Sequence, residues 1–166
     1  MLILLACAVL ADRLDPADPP VSGRARVSDG DSFHLGDDRI RLLGIDAPEL
    51  DQVCADAQGR DWPCGRAARD GLAALMRGRS LKCQPDGHDR FGRLLAICSV
   101  GTRDVGGQMV EAGLAVSSDD YWREEAAARA AKRGLWVGPF DLPRAWRDSH
   151  GRDAESSSFW GWLPHF

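Results

Sequence analysis

The chain has 166 residues, 44% hydrophobic and 28% charged, enough for one ordinary domain and too few for two full-sized ones. That balance excludes a disordered, collagen-like or coiled-coil chain. The formal charge of -4 argues against an anionic partner only superficially: both ends are acidic, residues 21–147 are neutral overall, and any basic surface there must be offset by an acidic cluster.

In chain order, residues 1–11 form an unbroken apolar run, long enough for a signal-peptide core and too short to span a bilayer. They read as a signal peptide or the remnant of a membrane anchor, which would tether the protein to a membrane and stand outside the fold. Residues 12–21, with three prolines, read as an extended linker. The runs Ser22–Asp29, Ser32–Leu35 and Arg39–Ile45, separated by Asp-Gly and Gly-Asp-Asp turns, predict a three-stranded meander. A loop from Asp46 to Pro63 leads into a helix over Gly65–Arg77, where Ala68, Leu72, Leu75 and Met76 share a face and Gly78 stops the helix. Ser80–Gln84 and Leu94–Val100 read as a hairpin, Val105–Ala112 as a short helix, and alanine-rich Tyr121–Arg133 as the strongest helix, ended by Gly134. Trp122, Trp136 and Trp146 are spaced for packing against the strands. Residues 148–166 read as a polar, then aromatic tail. With 18 Gly and 9 Pro set among short apolar runs, the domain over residues 22–147 is mainly β with packed helices, an α+β fold.

Four cysteines follow Cys7, in two local pairs. Of three possible connectivities the sequential one is expected: Cys54 with Cys64 across one loop, and Cys83 with Cys98 across the hairpin. Disulfides imply an exported protein, periplasmic or extracellular. Zinc is the rival reading, but there is no Cys-x-x-Cys pair and His88 is the only histidine nearby.

The chemistry lies in three segments. In Asp29-Gly-Asp-Ser32 the glycine permits a tight turn that brings Asp29 and Asp31 together. In Arg41-Leu-Leu-Gly-Ile-Asp-Ala-Pro-Glu49 an arginine inside an apolar strand needs an acidic partner, and Asp46 and Glu49 flank a stiffening proline. In Asp89-Arg-Phe-Gly-Arg93 a turn presents two guanidinium groups and a ring. Each alone could be a solvated turn. Together they offer oxygen donors of the hard kind that Ca2+ prefers and arginines that can fork onto phosphate oxygens, a combination suited to phosphodiester cleavage.

These segments, with Gly134-Leu-Trp136, resemble the thermonucleases, or staphylococcal-nuclease-like proteins, over Val27 to Trp146; the cysteines resemble those of exported bacterial members. The resemblance implies an OB-fold, a five-stranded barrel with about three helices. It implies a Ca2+-dependent nuclease, an endonuclease acting on single-stranded or flexible DNA or RNA as a monomer. By the same resemblance Asp31, Asp46 and the backbone carbonyl of Ala47 bind Ca2+, Glu49 activates water, Arg41 and Arg93 hold the phosphate, and Asp29 supports the cation from just outside its ligands. Arg90, Phe91 and Tyr121 would bind substrate. Ser32 stands where the family has Thr, Phe91 replaces a Tyr, and Tyr121 stands alone where the family's best-studied form uses two tyrosines. The alternative is a non-catalytic OB domain that binds single-stranded nucleic acid.

Overall fold

The computed structural model describes residues 19–150. The expected signal or anchor segment at 1–11, most of the linker and residues 151–166 of the expected tail lie outside the described residues.

Turn chemistry cuts the chain into short strands. The first expected strand is broken at Arg24 into β1 (Val21–Gly23) and β2 (Ala25–Val27). β3 (Ser32–Leu35) and β4 (Asp38–Leu42) complete an antiparallel meander whose alternating Phe33, Leu35, Ile40 and Leu42 are buried. Gly44, at φ 76°, ends that run earlier than expected, so Ile45–Asp46 is a separate strand, β5. The expected loop holds a small hairpin of β6 (Cys54–Ala55) and β7 (Asp61–Trp62). β8 (Leu81–His88) runs past the expected end at Gln84, with an irregular register between Pro85 and His88 where a central strand tolerates proline. β9 (Leu94–Val100), β10 (Arg103–Asp104) and β11 (Val116–Ser117) follow, β11 pairing with β5.

The main sheet runs β1-β8-β9-β4-β3-β2, with β10 added beside β9. Its two edge strands, β1 and β2, are consecutive in the chain. The strand over residues 21–27 therefore pairs with β8 through its first half and with β3 through its second, which closes five strands into a barrel of OB type. β4 and β9 close the other seam as the parallel pair.

Helix α1 (Cys64–Met76) buries Ala68, Leu72 and Met76, four residues apart, against the barrel core, and Cys64 at its start in a smaller second cluster. α2 (Val105–Glu111) starts at Asp104, whose carboxylate accepts the Gly107 N–H at 2.7 Å. α3 (Trp122–Ala130) buries only Ala128, and Trp122, expected to pack, is 64% exposed with Arg123 over its ring. A 3-10 turn, Gly134–Val137, precedes α4, residues 143–150. In this fourth helix Pro143 is buried, Trp146 half-buried and residues 148–150 exposed.

Both disulfides form in the expected sequential pairing, Cys54–Cys64 and Cys83–Cys98. The second joins residues directly opposite in the β8–β9 register. The first belongs to a satellite core with Val116 and Leu135, flanked by Trp62, Trp136 and Phe140. Among the described residues no helix is long and apolar enough to cross a membrane.

Candidate active site

The site begins at the turn before β3. Ser28 and Asp29 N–H groups both donate to the Ser32 carbonyl at 3.0 Å, and the Asp31 carbonyl accepts the Leu42 N–H at 2.9 Å. Asp31 is thereby fixed beside the end of β4, at 4% exposure. Gly30 is required by proximity: a Cβ there would lie 2.7 Å from the Ala47 Cβ and 2.8 Å from that of Ala68. The turn thus presses on both α1 and the segment after β5, which brings Asp31 of the turn and Asp46 of β5 to one place.

Arg41 joins these acids. Its register opposite Ser32 aims the guanidinium at the turn, where Nη1 lies 2.6 Å from Asp31 Oδ2 and Nη2 donates to Asp46 Oδ1 at 3.2 Å. Burial, more than any other influence, pushes the Asp31 carboxyl up to about 6; Arg41 opposes the rise, and Asp29, Asp46 and Glu49 add to it. Four acids therefore feel one another at this point.

Glu49 lies in the irregular stretch after β5, yet its backbone is held. Its N–H donates to Gln52 Oε1 at 3.2 Å, its carbonyl accepts the Gln52 N–H at 2.8 Å, and buried Gln52 donates from Nε2 to the Asp141 carbonyl at 2.8 Å. A side chain at Gly65 would drive its Cβ into the Glu49 carbonyl, so glycine there lets the loop lie directly on the start of α1.

Arg93 reaches the site from the turn just before β9. The parallel register pairs Ile40 with Leu94 and Arg41 with Leu95, so alternation places Arg39, Arg41 and Arg93 on the outer face. Arg93 is tied to its own turn: Asp89 accepts from Arg93 Nε at 2.7 Å and from the Phe91 and Arg93 N–H groups at 2.9 Å. Burial would raise the Asp89 carboxyl, but these bonds outweigh it and hold it at about 2. Phe91 is 62% exposed, with Arg90 and Arg93 guanidinium carbons 4.7 and 5.6 Å from the ring centroid.

These groups line one cleft of about 620 Å³, where Arg39, Arg41, Arg90, Arg93 and Arg147 face Asp29, Asp31 and Glu49. Arg41, Arg93 and Arg147 are paired with Asp31, Asp46, Asp89 and Glu49, while Arg39 and Arg90 form no ion pair among the described residues and give the cleft wall its unneutralised positive charge. The structure thus brings together Asp29, Asp31, Arg41, Asp46, Glu49, Arg90, Phe91 and Arg93, with the Ala47 backbone between two of the acids. It does not bring Tyr121 to the cleft. That ring packs on Gly44 and Gly106, and its hydroxyl bonds Asp104, so burial and this bond push its pKa up.

Arg147, on α4, was not anticipated. Its Nη1 donates to Glu49 Oε1 at 2.8 Å, and its Nη2 to Asp46 Oδ2 at 3.1 Å. Burial disfavours its charge, but the bond to Glu49 and the field of Asp46 prevail and raise its pKa. Asp89 was legible as an acid four residues before Arg93; Gln52 and Arg147 carried no local signal.

A model of the family described as staphylococcal nuclease homologue matches residues 39–138. Succinoglycan biosynthesis protein ExoI of Rhizobium meliloti (strain 1021) is 35% identical over 127 residues, which is 72% of this chain and 66% of that protein. Probable staphylococcal-like nuclease CAN3 of Oryza sativa subsp. japonica is 34% identical over 116 residues, 66% of this chain and 28% of that protein. An uncharacterized endonuclease of Escherichia coli O157:H7 is 33% identical over 135 residues, 74% of this chain and 82% of that protein. The matched span covers the barrel from β4 to the 3-10 turn, with the arginines and carboxylates of the cleft inside it except for Asp29, Asp31 and Arg147, and the chain belongs to the staphylococcal nuclease homologue family.

Proposed function

We propose that this protein is a nuclease that hydrolyses phosphodiester bonds of single-stranded or flexible DNA or RNA by attack of water on phosphorus, with one divalent cation, Ca2+, as cofactor. The observation that carries the reading is the arginine-lined cleft in which Arg41 binds two acids at once and Glu49 stands beside them. Among the described residues no three His, Cys, Asp or Glu side chains form an ion cage. The donor set is instead two carboxylates, Asp31 and Asp46, with the Ala47 carbonyl, which suits a hard ion that keeps several waters. Burial raises the Asp31 carboxyl most, and the neighbouring Asp29, Asp46 and Glu49 add to the rise, a grouping of acids that fits a site built for a cation.

When bound, the ion would stabilise charge developing on a phosphate oxygen. Glu49 accepts the proton of the attacking water through a carboxylate oxygen as the water oxygen bonds phosphorus; the bridging P–O bond opposite it breaks, and the leaving alkoxide takes its proton from solvent. Arg41 and Arg93 donate to the non-bridging oxygens, and those bonds strengthen as the phosphorus gains a fifth oxygen and its negative charge grows. A guanidinium gives up protons poorly, so Arg93 stabilises charge and is not the general acid. Arg90 and the Phe91 ring, on the cleft rim, bind the strand beyond the scissile bond. Two disulfides support export, and a cleft complete within one chain supports a monomer.

The test is incubation of the purified protein with single-stranded DNA and RNA, with Ca2+ or with chelator. Strand loss that requires the ion, and that falls by orders of magnitude in Glu49→Gln and Arg93→Ala variants that still fold, is the expected result. Retardation of the strand without loss would identify a binding domain and refute the enzyme.

A further inference from the structure

We propose that Arg147 is a built-in counter-ion of the cation site: its guanidinium and the divalent ion compete for Asp46, so ion binding releases the distal half of α4. The inference deepens the nuclease reading and rests on it.

Arg147 occupies Asp46 more fully than any other group does. Its Nη2 lies 3.0 Å from Oδ1 and 3.1 Å from Oδ2, while Arg41 Nη2 shares Oδ1 at 3.2 Å. A carboxylate has about four lone-pair directions, and three contacts already crowd these two oxygens. A hard cation binding there needs one of those directions and repels a guanidinium at hydrogen-bond distance.

An ion entering the remaining direction would sit against both guanidinium groups and repel them, and the two are not equally anchored. Arg41 sits on a central strand with its other nitrogen on buried Asp31. Arg147 sits on a terminal helix whose last three described residues, Asp148 to His150, are exposed. The start of α4 is pinned independently, by buried Pro143 and by the Gln52 bond to Asp141. The segment is therefore held at one end by packing and at the other by the acids, and only the second hold is exchangeable with an ion. Binding linkage is reciprocal, so docking of Arg147 weakens ion binding as much as the ion weakens docking.

The experiment titrates Ca2+ alone into the full chain by calorimetry, comparing the parent with Arg147→Gln and Arg39→Gln. Arg39 lines the same cleft but, among the described residues, makes no hydrogen bond or ion pair to the acids, so both variants remove one positive charge and only one removes the competitor. The expected result is Ca2+ affinity raised about tenfold more by Arg147→Gln than by Arg39→Gln. In hydrogen exchange, Ca2+ should lower protection of amides 146–150 in the parent and leave it unchanged in Arg147→Gln. Equal affinities in the two variants, or unchanged protection in the parent, would overturn the counter-ion role and leave the ion site standing. A parent that binds no Ca2+ would overturn both readings. If Arg147→Gln does not fold, Arg147→Lys serves, since one ammonium cannot span Glu49 and Asp46 and its affinity should fall between the others.

Discussion

Replacing Gly30 by Ala tests how the site is built. The new methyl would start 2.7 Å from the Ala47 Cβ and 2.8 Å from the Ala68 Cβ. Carbon atoms prefer about 3.5–4.0 Å, so the turn must retreat by about 1 Å. Neither alanine has a rotamer by which to yield, and both belong to buried backbone. Overpacking of this kind costs about 1–3 kcal/mol. At about 4 °C per kcal/mol for a domain of this size, Tm should fall by about 4–12 °C. The same retreat draws Asp31 from Arg41, now 2.6 Å away, and a misplacement of about 1 Å costs about 10²-fold in rate. Activity should therefore fall far more than stability when measured well below Tm. The assays are calorimetric melting and single-stranded DNA cleavage in saturating Ca2+. Adding Ala68→Gly removes one of the two obstacles, so the pair should be less destabilised than the sum of the single changes. A Gly30→Ala protein melting within about 1 °C of the parent, with full turnover, would refute this account of how the acids are brought together.

Three further outcomes follow from named contacts. Arg41→Lys should lower kcat/KM by about 10²-fold, because a single ammonium cannot fork across Asp31 and Asp46; steady-state kinetics showing parental values would exclude the bridging role. Asp89 is held below its ordinary 3.8, at about 2, so its support of the Arg93 turn is present above 3.8 and lost as pH falls through about 2. A carboxyl carbon titration followed by NMR should find that low midpoint, and one near 3.8 would mean the turn is open in solution. Gln52→Met keeps the shape but removes the bonds to the Glu49 N–H and the Asp141 carbonyl, which should cost about 0.5–1.5 kcal/mol for each bond in denaturant unfolding and lower kcat more than it raises KM.

Much of the barrel was readable because its strands are bounded by residues with one structural use. β3 and β9 have their expected limits, set by Asp-Gly on one side and by the glycine turn at Asp89–Arg93 on the other. α1 differs by one residue at each end, since buried positions recur every four residues while residues 66, 70 and 74, midway between them, are exposed, which a two-residue strand period does not allow. Closure of the barrel was legible only through the family resemblance and not in the residue pattern: the break at Arg24 that gives one strand to two neighbours has no glycine or proline at the break itself. The carboxylates and arginines of the cleft stood out because charges inside apolar runs need partners. Arg147 did not, because its partners lie 98 and 101 residues away in a segment with no apolar pattern. Tyr121 had the composition of a binding residue, but glycines at 44 and 106 leave room for its ring and Asp104 takes its hydroxyl.

The loop that carries Glu49 shows how a group assigned to chemistry can be held without long secondary structure. Backbone polar groups in irregular segments need partners as much as those in helices do, and here they are met at close quarters. Gln52 binds Glu49 through both backbone and side chain, the Gly65 N–H donates to the Gln52 carbonyl at 3.2 Å, and the missing Cβ at Gly65 lets two backbones touch. The Cys54–Cys64 bridge then closes the stretch onto the first residue of α1. All four devices converge on the start of that helix, the same helix whose Ala68 abuts the Gly30 turn. Asp31 from one side and Glu49 from the other are therefore referenced to a single rigid body. A change that shifts α1 should move both acids together and preserve their separation, whereas Gly30→Ala moves only the first.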